Sequence, residues 1–178
     1  MAVPERPVPV KLIVGVMYAE ERFFDSAVEE ITSGHGPIDH TSSDIADEHY
    51  QFYGDEMGTG LVKCILSFER LVDPATLPDV KIHAHTIEQA LSIEGRRRVN
   101  LDPGILSAGN VVLASAKPRP RRIYLRDGIY AELELVYQSG HFHTFPWTYP
   151  DHLRPDVQNF LEEVRATYLS QLKDLPGE

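Results

Sequence analysis

At 178 residues, with 42% hydrophobic and 25% charged side chains, the chain can bury one sizeable core and has the composition of an ordinary globular domain. A net charge of −10 excludes general attraction to bulk nucleic acid or membranes, because an acidic surface repels polyanions at long range. One cysteine, Cys64, excludes an internal disulfide, and its setting in LVKCILSF marks a buried packing thiol rather than a nucleophile.

The opening MAVPERPVPV has no basic region followed by an apolar core, so it does not read as a signal peptide. No apolar run approaches the roughly 20 residues of a membrane helix. A cytoplasmic location is the expectation.

Residues 1–9, with three prolines, read as an extended arm. Val10 to Tyr18 is a near-continuous apolar run of strand length, which predicts a central strand buried on both faces. Ala19-Glu20-Glu21 opens a helix, with acidic residues where the macrodipole favours them. Phe23, Phe24, Ala27, Val28 and Ile31 recur at helical spacing until Ser33-Gly34-His35-Gly36 stops them. Pro37 to Thr41 reads as a short strand. Tyr50, Phe52 and Tyr53 crowd together ahead of Gly54, Glu56, Met57 and Gly58. That segment suits either a one- or two-turn helix packing aromatics or a lid over a site.

Leu61 to Val72 returns to strand chemistry and ends at Asp73-Pro74, an Asp cap with proline at the first helical position. Val80 to His85 alternates strictly, predicting a half-exposed strand with His83 and His85 on its wet face. Thr86 to Leu91 reads as helix. Asn100-Leu101-Asp102-Pro103-Gly104 reads as a turn or helix entry. Val111 to Ala116 is a strand, Lys117-Pro118-Arg119-Pro120 a rigid turn, and Arg126-Asp127-Gly128 a hairpin turn. Ile129 to Val136 alternates, with Tyr130, Glu132 and Glu134 expected on an exposed face. His141 to Phe145 is an edge strand, and Trp147 to Asp151 is expected to seal the core beneath a helix from Pro155 to Leu172. The sum is an α+β fold in one domain over residues 1–178, a mixed, mostly antiparallel sheet with packed helices and a C-terminal amphipathic helix.

Chemistry concentrates between Arg96 and Asp151. Arginine forks suit carboxylate or phosphate, and alternation along a strand lets either Arg96 with Arg98, or Arg97 alone, face one site. Lys117, Arg119, Arg121 and Arg122 form a second basic cluster in an acidic chain. Two readings result. In the first, Asn100, Arg98, Lys117 and Arg122 line a basic pocket for an anionic small molecule or nucleotide. In the second, Asp102, Asp127 and Glu132 serve as acid–base or cation-holding groups of an enzyme acting on a phosphorylated or carboxylated substrate. A third reading is an interaction scaffold using the exposed sheet and the aromatics Tyr50 to Tyr53. The His83/His85 and His141/His143 pairs lack the spacing of a metal motif, and no metal ligand or cofactor is assigned. There is no GxxxxGK[ST], no GxGxxG after a strand and no GxSxG.

Taken in order, several segments resemble an uncharacterised prokaryotic family, domain of unknown function 4416. They are PVKLIVGVMY, Tyr53 with Glu56-Met57-Gly58, LSFERLVDP, RRVNLDPG, VLASAK, RIYLRDGIYAELEL and PWTYPD, which together span most of the chain. The resemblance implies no established activity. It carries a label, GTP-binding protein, attached to some members. This chain has neither a phosphate loop nor an NKxD-type guanine motif, and Ile105 stands where members often have Tyr after the Asp-Pro-Gly.

Overall fold

The computed structural model describes residue 1 and residues 3–175. Twelve elements follow in order: β1 (Val10–Tyr18), α1 (Glu21–His35), β2 (Ile38–Thr41), α2 (Gly54–Met57), β3 (Val62–Val72), α3 (Leu77–Ala90), β4 (Val99–Leu106), β5 (Asn110–Ser115), β6 (Ile123–Arg126), β7 (Ile129–Gln138), β8 (His141–Thr144) and α4 (Pro155–Lys173). The strands make one sheet in the order β2-β3-β1-β4-β5-β7-β6, with β8 beside the second half of β7. The α+β expectation holds. All strand pairs among the described residues are antiparallel, so the sheet is more uniform than expected.

The unbroken apolar run of β1 is explained by its position. All nine of its residues are buried, between β3 and β4 and under helices on both faces. Leu12, Val14 and Val16 pack with Ala27 and Ile31 of α1 and Val80, Ala84 and Ile87 of α3. Ile13 and Met17 point the other way, onto Val157, Leu161 and Val164 of α4. Lys11, fully buried on that second face, bonds Asp39 of β2 and, at 2.7 Å, Gln171 of α4.

Three local expectations are corrected. Val80 to His85 is not a strand but the middle of α3. Leu77, Val80, Ala84 and Ile87, all buried, form a helical stripe, while Ile82 is 42% exposed. Six residues of alternation were outweighed by a longer 3.6-residue pattern launched from the predicted cap, where the Asp73 side chain accepts from Ala75 N–H. Asn100 to Gly104 is not a turn but runs inside β4. Glu132 and Glu134 are not on an exposed face. They are 1% and 0% exposed, and β7 gains an extra residue where Val111 and Val112 face Leu135 and Leu133, a bulge at Glu134 that breaks the alternation.

The sheet has two interruptions. β4 and β5 pair only over Gly104–Leu106 and Val111–Leu113, so the first half of β4 has no strand on that side. Pro103, with no N–H to donate, lies in this half, where proline is tolerated as on an edge strand. On the far edge, β6 and β8 cover opposite ends of β7 and leave its middle open. Trp147 Nε1 donates to Leu133 O at 2.9 Å and Thr148 Oγ1 to Glu134 O at 2.7 Å, filling that gap. Trp147 is half-buried and stacks on Phe145, so it closes a sheet edge rather than the core beneath α4.

At Gly104, where β4 and β5 do meet, an added Cβ would lie 2.7 Å from Val112 O and 2.5 Å from Leu113 Cδ2. Gly104→Ala is expected to lower unfolding stability by about 1–3 kcal/mol, as overpacking against backbone does. An unchanged denaturant midpoint would contradict this packing.

Candidate functional site

The open half of β4 borders a cavity of about 820 Å³. Its making begins with Leu101, whose N–H and C=O lack a β5 partner. Glu88 of α3 accepts from Leu101 N–H at 2.6 Å, and Lys81 of α3 donates to Leu101 O at 2.6 Å. Two charged side chains of one helix thus stand in for the missing strand and satisfy its orphan groups. The neighbouring Asn100 and Asp102 side chains then meet no strand and line the cavity.

Lys63 of β3 crosses the floor. Its ammonium lies 2.8 Å from Asp151 Oδ2 and 3.8 Å from Asp102 Oδ2, while Lys81 approaches Asp102 Oδ1 at 3.6 Å. Gly15 of β1 makes the crossing possible, because a Cβ there would sit 2.5 Å from Lys63 Cε. Burial opposes charge on Lys63, but Asp151 and Asp102 outweigh it and hold the ammonium above the ordinary lysine range. Burial likewise pushes the Asp151 carboxyl up, and Lys63 and then His152 overrule it, leaving it well below the usual carboxylate range. Asp102 is also lowered, with burial opposed by Lys81 and Lys63. Its side chain keeps 33% exposure because what it faces is the cavity.

Arg97 closes the opposite end. Its Nε and Nη2 donate to the two oxygens of Glu56 at 2.6 and 2.7 Å, and Nη1 donates to Asn100 Oδ1 at 2.6 Å. Asn100 in turn donates to Asp102 at 2.9 Å. Tyr50, Tyr53 and Glu56, from the segment between β2 and β3, form one wall, and Tyr149 lies on another side. Burial raises the phenols of Tyr53 and Tyr149, which stay protonated. The aromatic segment folds as short helical turns, as in the first of the two readings, and those turns form one wall of the cavity.

Of the residues singled out from sequence, Asn100, Asp102 and Lys117 line the cavity. Arg122 stands one layer behind. Its side chain is 4% exposed and donates to Glu132, Ser115 and, at 3.0 Å, both Lys117 O and Tyr149 OH, so it positions three cavity residues without lining the cavity itself. Glu132 is the buried counterion of Arg121 and Arg122. Arg98 does not line the cavity. It falls at a bend before β4, so strand alternation does not extend back to it, and Arg97 is the arginine presented. Asp127 sits in the hairpin turn with φ 52 and pairs with Arg126, away from the cavity. The basic pocket expected from Arg98, Lys117 and Arg122 is thus contributed to by Lys117 alone, and the lining is charge-balanced. Lys63, Lys81, Arg97 and Lys117 face Glu56, Glu88, Asp102 and Asp151.

Arg97 is the second of the two arginine alternatives read from the sequence, whereas Lys63, Lys81, Glu56, Glu88 and Asp151 were not singled out there. Lys63 carried a signal, a charge set within the apolar stretch LVKCILSF, and Lys11 carried a similar one in VKLIVGVMY. The two histidine pairs do not meet: His83 bonds His35 at 3.1 Å, His85 lines the cavity, and the His141 and His143 rings lie side by side, tilted by 35°, at exposed positions of β8. No group of three or more potential ligands that could hold a metal ion occurs among the described residues. Cys64 is buried and its thiol is pushed up to about 12 by burial, as a packing thiol should be. Among the described residues no helix is long and apolar enough to cross a membrane.

Asp151→Asn removes one charge from a buried pair and is expected to cost about 3 kcal/mol or somewhat more, the lower end because Asp102 still faces Lys63. Lys63→Met with Asp151→Asn should cost clearly less than the two single changes added together, read by denaturant unfolding in a double-mutant cycle. Because the Asp151 carboxyl is depressed, its contribution is present above the ordinary aspartate range and is lost as pH falls through its lower folded value. Wild type should therefore lose more stability on acidification than the double variant. Additive costs or parallel pH profiles would remove the pair from this role.

No curated protein and no solved structure matches the chain. A family model described as a domain of unknown function (DUF4416) matches residues 8–168, taking in both the cavity and the sheet that frames it, and the chain belongs to that family.

Proposed function

We propose that this protein binds a small anionic molecule, a nucleotide or a phosphorylated or carboxylated metabolite, in the cavity beside Asp102, and that it works in the cytoplasm. The volume supports this reading, since about 820 Å³ falls within the roughly 300–1,000 Å³ typical of small-molecule sites. Aromatic walls at Tyr53 and Tyr149, with Phe52 79% exposed at the border, offer flat apolar surface to a ring.

The observation that carries the reading is the mixture of roles among the cavity charges. Lys63 is locked to Asp151 in the floor, whereas Lys117 is exposed on the border and makes no salt bridge among the described residues. Lys117 is thus available to an incoming anion, and Asp102, a partly exposed carboxylate, is available to accept from a ligand hydroxyl or amide. Its lowered pKa favours binding over general acid–base catalysis at neutral pH, where an effective base needs a pKa nearer 7. Two of the three acid–base candidates, Asp127 and Glu132, are also absent from the lining.

A thermal-shift screen of nucleotides, phosphosugars and small carboxylates tests the reading. A ligand at about 100 times its Kd should add roughly 2.7 kcal/mol of stability. Lys117→Ala and Asp102→Asn should each weaken that ligand by about tenfold, the loss of one such interaction at about 1.4 kcal/mol. A panel without a hit, or a hit indifferent to both substitutions, would defeat the proposal. Silence from GTP analogues alone would remove guanine nucleotides from it.

A further inference from the structure

Arg97 is held as a recognition fork is held. Its Nη1 is fixed by Asn100 Oδ1 at 2.6 Å, with Glu88 at 3.9 Å, so the guanidinium plane is set by groups of β4 and α3. The remaining edge, Nε and Nη2, points into the cavity and meets both oxygens of Glu56 at 2.6 and 2.7 Å. That is the parallel two-bond geometry with which arginine receives a carboxylate.

Glu56 differs from the other carboxylates of the cavity. Its side chain is the most exposed of the four, at 42% against 33% for Asp102 and 4% for both Glu88 and Asp151. Turning it out into water leaves no buried charge behind on its own side. Met57, next along the chain, is 1% exposed and anchors the segment, so the exchange needs only a side-chain rotation. The charge of Lys117 also acts on the same carboxylate, after the dominant effect of the Arg97 hydrogen bonds. Glu56 therefore occupies the place where a ligand anion would find Arg97 and Lys117 together.

We propose that Arg97, oriented by Asn100, is the anion-recognition residue of the cavity, that its ligand carries a carboxylate, and that Glu56 is a built-in carboxylate that the ligand displaces. The inference rests on the binding role proposed above and adds the group that is recognised. A tethered competitor acts at a high effective concentration, so it lowers the apparent affinity of every free carboxylate. It also prevents Arg97 from presenting an unpaired charge when the cavity holds no ligand.

The test compares wild type, Glu56→Ala and Glu56→Ala with Arg97→Lys, using acetate, benzoate and inorganic phosphate as probes. Benzoate is included for its aromatic ring, acetate for the carboxylate alone. Stabilisation by each probe is read from thermal unfolding, and the Arg97 Nε–H resonance is followed by NMR. Benzoate should bind Glu56→Ala at least tenfold more tightly than wild type and shift that resonance. Arg97→Lys, which keeps the charge but loses the fork, should abolish the gain. Glu56→Gln repeats the comparison with the side-chain shape preserved, should the alanine variant fold poorly.

Equal response of wild type and the Glu56 variants, or a gain that survives Arg97→Lys, would overturn the assignment of Arg97 and Glu56. Phosphate outcompeting benzoate in Glu56→Ala would overturn the carboxylate class. These outcomes are separable from failure of the broader binding role, which is read from the ligand screen of the wild type and of the Lys117→Ala and Asp102→Asn variants, all with Glu56 in place.

Discussion

The cavity exists because the first half of β4 has no neighbour on its β5 side. A buried, unpaired backbone N–H or C=O costs about 1–3 kcal/mol, so a strand cannot simply be left open inside a domain. Leu101 resolves this by taking both partners from α3, Glu88 for its N–H and Lys81 for its C=O. That solution brings two charges to the wall of the gap, and the rest of the site follows from accommodating them. Lys81 lies near Asp102, Glu88 lies near Arg97, and Asn100 links the two halves through its amide.

The floor solves a second problem of the same kind. Lys63, like Lys11, brings a charge onto the mostly apolar face toward α4, and Asp151 arrives from the connection between β8 and α4 to meet it. Replacing such a pair by apolar groups is often neutral or stabilising, so the pair is poor evidence for stability alone. Here it fixes where the connection after β8 crosses the sheet, and therefore where Tyr149 stands. Tyr149 is held independently at both ends, its N–H by Glu134 at 3.0 Å and its hydroxyl by Arg122. One wall of the cavity is thus set by Glu134 of β7 and by Arg122 just ahead of β6, neither of which lines the cavity.

Most of the framework could be read from the residues: β1 as a doubly buried strand, α1, β3, the Asp73 cap, the Asp127-Gly128 hairpin and α4. Each of these has a period or a turn signal longer than the window needed to see it. The errors fell where two patterns competed over few residues, as at Val80 to His85, or where a bulge reset the faces, as at Glu134. The site was half legible. Asn100, Asp102 and Lys117 stood out because polar residues in an unusual local sequence mark themselves. Glu88 and Lys81 did not, because charged residues on a helix ordinarily face water, and only the missing β5 partner turns them inward. Arg122 and Glu132 looked like ligands because charge in sequence does not reveal which charges are already consumed by one another.

That distinction orders the ion pairs of the cavity by the burial of the carboxylate. Asp151 and Glu88, each 4% exposed, cannot exchange partners without stranding a charge in the interior, so their pairs are architecture. Asp102, at 33%, can accept from a ligand while remaining near its lysines. Glu56, at 42%, can leave its partner for water, because solvent can take over the hydrogen bonds of an exposed carboxylate in a way it cannot for a buried one. A balanced set of charges is therefore not inert. Its buried members hold the geometry, and its exposed members are the ones an incoming molecule can afford to replace.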